Sequence, residues 1–219
     1  MNHSRQPANG GARRRNSRGQ GARLRGEILD AASEILAESR DPRQLSLRSV
    51  ARRVGIAATS MYLHFADVDQ LTSALAERYF SELGRAIARA SRAQRDPARA
   101  LLAGCKAYGR YAIANPGPYR VLFELERPDL SPSRAYSLEQ SAGRGVLQGL
   151  VEGIELCRSS GLAACDGDAE VVAVAVWTAL HGIVSLRINR PRFPWPTLDK
   201  LIDASVPRLV GLRDRSINS

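Results

Sequence analysis

The sequence predicts an all-α protein with an N-terminal three-helix helix-turn-helix domain and a C-terminal helical domain. Apolar residues recur at steps of three and four along most of the chain, which is the period of an amphipathic helix. Breaker segments such as Asp41-Pro42 and residues 115–118 (Asn-Pro-Gly-Pro) divide these stretches. Between the turn signals, no stretch shows the period-two alternation of a strand.

The first two helices have recognisable ends. Apolar residues place the first helix before Asp41-Pro42, and its buried face holds Leu24, Ile28, Ala31, Ala32, Ile35 and Leu36. At the second helix, Ser46 can cap the free backbone N–H groups, and Leu45 can pack on Val50 as a hydrophobic staple. Gly55 is placed to end this helix in a left-handed conformation.

The remaining elements follow the same signals. A short third helix runs to Phe65, and Asp67, with Gln70 at the reciprocal capping position, begins the fourth helix. Asp96-Pro97 begins the next helix, because proline suits the first helical position. Further helices are predicted over Ser133–Ser160, Asp168–Asn189 and Thr197–Arg213. The chain therefore divides into a basic arm (1–22), a helix-turn-helix domain (23–69) and a helical domain (70–219).

Charge indicates an anionic partner. The net charge is +10 and the isoelectric point is near 10.3, which fits nucleic acid or an anionic membrane surface. Seven arginines precede the first acidic residue, Glu27. The arm is otherwise rich in small and polar residues, so it should be disordered in isolation. It either adds affinity for DNA by reaching along the backbone or into the minor groove, or serves only as a solubilising tail.

Other classes of protein receive little support. Cys105, Cys157 and Cys165 form no CxxC pair, so neither a disulfide framework nor a metal site is expected. There is no apolar leader, and the densest apolar run, Val171 to Leu180, is too short to span a bilayer. The expectation is a cytoplasmic protein without a membrane partner.

Catalysis is not indicated either. The three histidines (His3, His64 and His181) are scattered, and no GxSxG, HExxH, phosphate-binding loop or dinucleotide-binding motif is present. We therefore expect no enzyme activity and no cofactor.

The segment 46–65 has the sequence pattern of a helix-turn-helix. Small Ala51 permits close packing, Gly55 permits the sharp turn, and Ile56 and Met61 fill the space between the helices. That arrangement is expected to leave these residues on or near the exposed side of the second helix of the motif: Ala58, Thr59, Ser60, Tyr62, Leu63 and His64. A helix presented in this way fits the DNA major groove.

These residues resemble the tetracycline-repressor (TetR) family of bacterial regulators. The resemblance rests on the helix Leu24–Ala37 and on Ser46, Val50-Ala51, Val54-Gly55-Ile56, Tyr62-Leu63-His64-Phe65, Asp67 and Leu71. More loosely, residues 115–120 and Trp177–Gly182 look like the "WHG" type of C-terminal domain. With these, the resemblance covers most of the chain after the arm.

The resemblance implies roles for individual residues. Thr59, Ser60 and Leu63 would face base edges, and Tyr62, His64 and Ser46 would touch phosphates. Arg48 would reach a phosphate or a base, while Ala58 offers only apolar contact. The chain departs from the pattern at Ala57, where many relatives carry a capping Ser or Thr, and at Val68, where many carry a phosphate-binding Lys.

The C-terminal half offers candidates for a ligand pocket. Tyr108, Tyr111, Tyr119 and Phe123 flank a helix break, and Trp177 and His181 share one helix face. These six residues either line a pocket or pack the core. The resemblance implies a small-molecule ligand whose binding shifts the helix Val68–Ala93 and releases DNA.

The resemblance also implies a homodimer on a palindromic operator. A four-helix bundle between subunits would be formed by Ser133–Ser160 and Asp168–Asn189. The resulting expectation is a transcriptional repressor released by a ligand. The alternative is a DNA-binding regulator without an inducer, and a more remote one is an enzyme or ligand carrier.

Overall fold

The computed structural model describes residues 20–39, 44–123, 143–164 and 167–213. Within these ranges the chain forms helices and no strand, which confirms the all-α prediction. The helices are α1 (Gln20–Glu38), α2 (Leu47–Val54), α3 (Ala58–Met61), α4 (Val68–Arg92), α5 (Pro97–Ala114), α6 (Pro116–Phe123), α7 (Arg144–Ser159), α8 (Ala169–Asn189) and α9 (Leu198–Val210). Most of the predicted arm, the Asp41-Pro42 pair, Cys165 and the first ten residues of the predicted helix Ser133–Ser160 lie outside the described residues.

Buried apolar side chains form two separate clusters. The first lies between α1, α2, α3 and the start of α4, with Ile28, Val50 and Phe65 at its centre. The second cluster is formed by residues from α4 onward to the end of α9, and Leu83 and Ile154 are fully buried members of it. Each such side chain contributes about 1.5–3 kcal/mol of burial free energy. The predicted fold class, a helix-turn-helix domain followed by a helical domain, is confirmed.

Helix α4 belongs to both clusters. Leu71 and Leu75 lie in the first cluster, whereas Tyr79 and Leu83 lie in the second. The helix begins as predicted, because the Asp67 side chain accepts a hydrogen bond from the Gln70 N–H. The Gln70 side chain reaches one residue further back than expected and accepts from the Ala66 N–H at 2.9 Å. A displacement of α4 therefore moves groups in both domains.

The ends of α2 follow from local chemistry. The Ser46 Oγ accepts the Ser49 N–H at 3.1 Å, and the Ser49 Oγ accepts the Ser46 N–H at 3.0 Å. The predicted cap at Ser46 is thus confirmed, with serine rather than Glu or Gln as its reciprocal partner. The helix ends at Gly55, whose φ of 76° lies in the left-handed region. At the N-terminus of α3, Ala57 makes no side-chain cap, as the sequence predicted.

We expect Gly55→Ala to lower the free energy of unfolding by about 1–2 kcal/mol, because a Cβ disfavours the left-handed conformation. Gly55→Asn is the matched control and should lose less, since asparagine tolerates this conformation better. Urea denaturation of the three proteins measures both effects. Equal midpoints for Gly55→Ala and the parent would show that the turn relaxes without cost.

Helix α8 is apolar on most of its surface. It is the only helix of the described residues that is long and apolar enough to cross a membrane by length and composition, which is weak evidence, since core helices pass the same test. One side is buried in the second cluster through Ala173, Val176, Leu180 and Val184. The other side exposes Val171, Val174, Trp177 and Leu186. The exposed side therefore presents apolar side chains to solvent in the described part of the chain.

Candidate DNA-binding surface and aromatic cluster

The surface around α3 presents the residues that follow Gly55. Tyr62 is 59% exposed and Leu63 is 84% exposed, although both are large side chains. Ala58 and Thr59 are also exposed, and His64 is partly exposed. Exposed apolar residues are normal when they are scattered singly, whereas Tyr62 and Leu63 are neighbours in the chain. These five residues form the exposed face of the motif.

Ser60 does not belong to this face. The sequence placed it on or near the exposed side, but it is only 8% exposed and lies against the domain beside buried Met61. The expectation of exposure is therefore wrong. The reason is that α3 has four residues and gives way to a turn, so its rotation is set by Met61 and Phe65, which are buried at 0% and 1% exposure.

The start of α2 lies in the same domain. Arg48 is exposed, as a residue that reaches a phosphate or a base must be. Ser46 is half-buried, and its hydroxyl is engaged in the helix cap with Ser49. Its hydroxyl hydrogen is donated to the Ser49 Oγ at 3.1 Å and would have to turn away from it to bind a phosphate, which accepts hydrogen bonds.

Arg25 is a residue that the sequence did not single out. Its guanidinium lies over the Phe65 ring, 4.4 Å from the centroid, and Nη1 donates to the His64 carbonyl at 3.3 Å. It therefore links α1 to the residues that end the exposed face. The sequence carried no signal for this, because the contact joins positions 39 apart in the chain.

Four of the predicted ligand residues, Tyr108, Tyr111, Tyr119 and Phe123, lie in or against the second cluster. Four of the six candidates are in ring contact: Phe123 lies 5.0 Å from Tyr119, 4.9 Å from His181 and 6.3 Å from Trp177. Tyr119 stacks on His181, and its hydroxyl forms a hydrogen bond of 2.9 Å with Nδ1 of that ring. Helices α6 and α8 are joined through this pair.

Two residues of α4 complete the cluster and were not predicted as candidates. Phe80 lies edge-on to Phe123 at 6.0 Å, and Tyr79 lies 5.1 Å from Tyr111 and 5.8 Å from Phe80. We refer to Tyr79, Phe80, Tyr108, Tyr111, Tyr119, Phe123, Trp177 and His181 as the aromatic cluster. The sequence predicted the helix that carries Tyr79 and Phe80, but it could not show that this helix meets α6.

A polar network connects the cluster to the DNA-binding domain. The Tyr111 hydroxyl donates to Glu82 Oε2 at 2.8 Å, and Arg78 Nε pairs with Glu82 Oε1 at 3.0 Å. Arg78 also reaches α1, where it pairs with Asp30 at 2.5 Å and donates to the Gly26 carbonyl. Burial alone would raise the pKa of Glu82, but the hydrogen bonds from Tyr111 and Arg78 outweigh it and hold the pKa below its usual value.

Comparison with known families assigns both halves of the chain. Residues 28–75 match the model described as bacterial regulatory proteins, tetR family, and residues 101–211 match that of the tetracyclin repressor-like C-terminal domain. The second match alone covers half of the 219 residues. The chain belongs to the TetR family.

Solved structures share this fold along most of the chain. A protein of unknown function from Rhodococcus sp. RHA1 is 26% identical, with a TM-score of 0.71, over 87% of this chain and 96% of that one. The fatty acid degradation regulator FadR from Bacillus halodurans is 18% identical, with a TM-score of 0.72, over 91% and 100%. The ketosteroid regulator KstR2 of Mycobacterium tuberculosis is 20% identical, with a TM-score of 0.62, over 87% and 96%.

Members of the TetR family share general properties. Its members are DNA-binding transcriptional regulators, generally without enzyme activity, that bind operators and small molecules and act as dimers. The two sites described above lie one in each matched region, with the exposed face in the N-terminal match and most of the aromatic cluster in the C-terminal match.

Proposed function

We propose that this TetR family protein is a homodimeric repressor that binds a palindromic operator and is released from it by a small molecule. The observation that carries the proposal is the exposed face of the helix-turn-helix. Leu63 and Tyr62 extend into solvent from a domain whose other large apolar side chains are buried or partly buried. An exposed helix of this kind is suited to the major groove.

Each residue of the exposed face has a contact suited to its chemistry. Thr59 and Leu63 would meet base edges, with Leu63 against a thymine methyl group, and Ala58 would add apolar contact. Tyr62 and His64 would bind phosphates, together with Ser46 and Arg48 at the start of α2. Ser60 is omitted from this set because it is buried.

The exposed side of α8 supports the homodimer. Apolar side chains at Val171, Val174, Trp177 and Leu186 are exposed on α8, and Leu156 on α7 and Leu209 on α9 are also exposed. Covering an apolar surface of this kind with a second copy removes it from water. A dimer would also present two recognition surfaces to the two halves of a palindrome.

The aromatic cluster and α4 support release by a ligand. The cluster includes Tyr79 and Phe80 on α4, and the same helix carries Leu71 and Leu75 in the core of the DNA-binding domain. A ligand that prefers a different position of α4 would change the geometry of DNA binding, with leverage equal to its difference in affinity for the two states.

Nuclease protection is the test of the proposal. The purified protein should protect a discrete two-fold symmetric site of DNA, and a search upstream of its own gene is the natural start. Uniform protection of all sequences would contradict sequence-specific regulation. A symmetric footprint that no compound bound by the C-terminal domain can release would favour the alternative, a regulator without an inducer.

Leu63→Ala should weaken operator binding by about 1 kcal/mol, roughly fivefold, and should relax specificity at one base pair of each half-site, because an apolar contact with a base is lost. Phe193→Ala is the control, since it truncates an exposed apolar side chain between α8 and α9 that belongs neither to the proposed DNA contacts nor to the proposed dimer surface. Titration of wild-type and single-substituted operators measures both effects. Equal losses on all operators would show that Leu63 does not read a base.

A further inference from the structure

Two tyrosine hydroxyls of the aromatic cluster are buried without a partner. Tyr79 is 2% exposed and Tyr108 is 4% exposed, and neither hydroxyl has a hydrogen-bond partner among the described residues. The other two tyrosines of the cluster differ, since Tyr111 donates to Glu82 and Tyr119 bonds to His181. Burial of an unpaired hydroxyl costs free energy, so evolution retains few of them without a reason.

The unpaired hydroxyls lie close to the rest of the cluster. Burial raises the pKa of Tyr79 far above its usual value, and the proximity of Tyr108, Tyr111 and Tyr119 raises it further. Burial also raises the pKa of Tyr108 to about 12, against a lowering by the nearby Trp177 side chain. Both tyrosines are therefore neutral at physiological pH, and each can donate or accept a hydrogen bond.

Charged groups around the cluster already have hydrogen-bond or ion-pair partners. Glu82 is bound by Arg78 and Tyr111, and the His181 ring is bound by the Tyr119 hydroxyl. A cationic ligand would lose its hydration without gaining a counter-ion among these residues, and an anionic ligand would have to draw Arg85, which lies near Tyr111, away from the Ser81 hydroxyl. Aromatic rings, in contrast, offer stacked or edge-on contacts to a flat ring.

We propose that the aromatic cluster binds an uncharged ring compound that carries a hydroxyl or carbonyl oxygen, and that Tyr79 and Tyr108 bond to that oxygen. The assignment rests on the proposed ligand response and names its chemical class. The two hydroxyls are unpaired in the free protein because the ligand supplies their partner. Tyr79 lies on α4, so this bond also connects the ligand to the helix shared by both domains.

A series of four naphthalene compounds tests the chemical class. Naphthalene, 2-naphthol, 2-naphthoate and 2-naphthylmethylammonium share one ring system and differ in polarity and charge. Calorimetric titration of the full chain should show 2-naphthol binding about five- to tenfold more tightly than naphthalene, and more tightly than both ions. Preference for either ion, no preference for 2-naphthol over naphthalene, or binding of none of the four would overturn the proposal.

Tyr79→Phe and Tyr108→Phe test the two hydroxyls. Each variant should bind 2-naphthol about three- to tenfold more weakly and naphthalene equally well, while the free protein unfolds at a higher temperature because an unpaired buried hydroxyl is removed. Tyr111→Phe is the contrasting variant, since its hydroxyl is paired and its loss should lower the midpoint. Unchanged selectivity in both Tyr79→Phe and Tyr108→Phe would overturn the role of these residues.

Failure of this proposal is distinguishable from failure of the proposed function. Nuclease protection of the operator is measured with and without 2-naphthol. Selective binding of 2-naphthol without release of DNA would leave the ligand class standing and contradict the ligand switch. A symmetric footprint together with no binding of the four compounds would contradict the ligand class and leave DNA binding standing.

Discussion

Gly117→Val should lower the unfolding midpoint by about 5–10 °C and weaken operator binding at least tenfold. Gly117 lies at the start of α6, where an added Cβ would meet the Ala37 nitrogen at 2.5 Å and the Leu36 carbonyl carbon at 2.6 Å. Both atoms belong to the backbone of α1 and cannot rotate away. Overpacking of this kind costs about 1–3 kcal/mol or more, and each kcal/mol lowers the midpoint by about 2–4 °C in a chain of this size.

The loss of DNA affinity follows from what α1 supports. Helix α1 packs on α2 and α4 in the first core cluster, and Arg25 holds the end of the exposed face. If α6 is forced away from α1, the DNA-binding domain must change its position relative to the C-terminal domain. Thermal unfolding and operator titration measure the two effects separately.

Gly26→Ala is the control, because Gly26 lies on α1, the helix that Gly117 contacts, and a Cβ there meets nothing within 4 Å. The free energy of unfolding of this variant should equal that of the parent or exceed it by up to about 1 kcal/mol, since alanine favours the helix. Gly117→Ala should lie between the two. A Gly117→Val protein that unfolds and binds DNA like the parent would show that the contact between α1 and α6 does not position the domains.

The glycines show which parts of the structure could be predicted from the sequence. Gly55 was predicted as a helix end because its signal is local, with the cap at Ser46 and the turn lying within ten residues of each other. Gly117 was predicted only as part of a helix break. Its contact with Ala37 joins residues 80 positions apart, and no local pattern reports such a distance.

The DNA-binding surface and the aromatic cluster were likewise predicted only where the signal in the sequence is local. The position of the motif and five members of its exposed face were predicted from spacing, whereas Ser60 was placed wrongly because a four-residue helix has too few residues to define its rotation. Four of the predicted ligand residues are in ring contact, and the sequence signals for them were local: a helix break and the shared helix face of Trp177 and His181. The part played by Tyr79 and Phe80 depends on how α4 meets α6, which is set by tertiary packing.

Arg78→Met should reduce the free energy of unfolding by about 1–2 kcal/mol and weaken the release of DNA by ligand severalfold. Arg78 connects Asp30 and the Gly26 carbonyl of α1 to Glu82 of α4, and methionine keeps its length without its charge. The expected loss is below the 3–5 kcal/mol of a fully buried pair, because Arg78 and Glu82 keep 35% of their side-chain surface in water.

The reduced response to ligand has a structural reason. The aromatic cluster reaches α1 through Tyr111, Glu82 and Arg78, so the variant removes the last link of that connection. Operator titration with and without a releasing compound measures the response. Arg110→Met is the matched control, since it breaks an exposed pair with Asp199 that lies outside this network and should change stability by less than about 1 kcal/mol.

The pH dependence of stability distinguishes loss of this pairing from loss of packing alone. The pKa of Glu82 is held below its usual value of 4.5, so its pairing adds stability above about pH 4.5 that is lost as the pH falls through the lowered pKa. Removing Arg78 leaves burial to oppose the Tyr111 hydrogen bond, and the pKa of Glu82 should rise. The difference in unfolding free energy between the parent and Arg78→Met should therefore be largest near neutral pH and should narrow towards about pH 3. If the difference is the same at both ends of this range, the contribution of Arg78 comes from packing of its side chain and not from its charge.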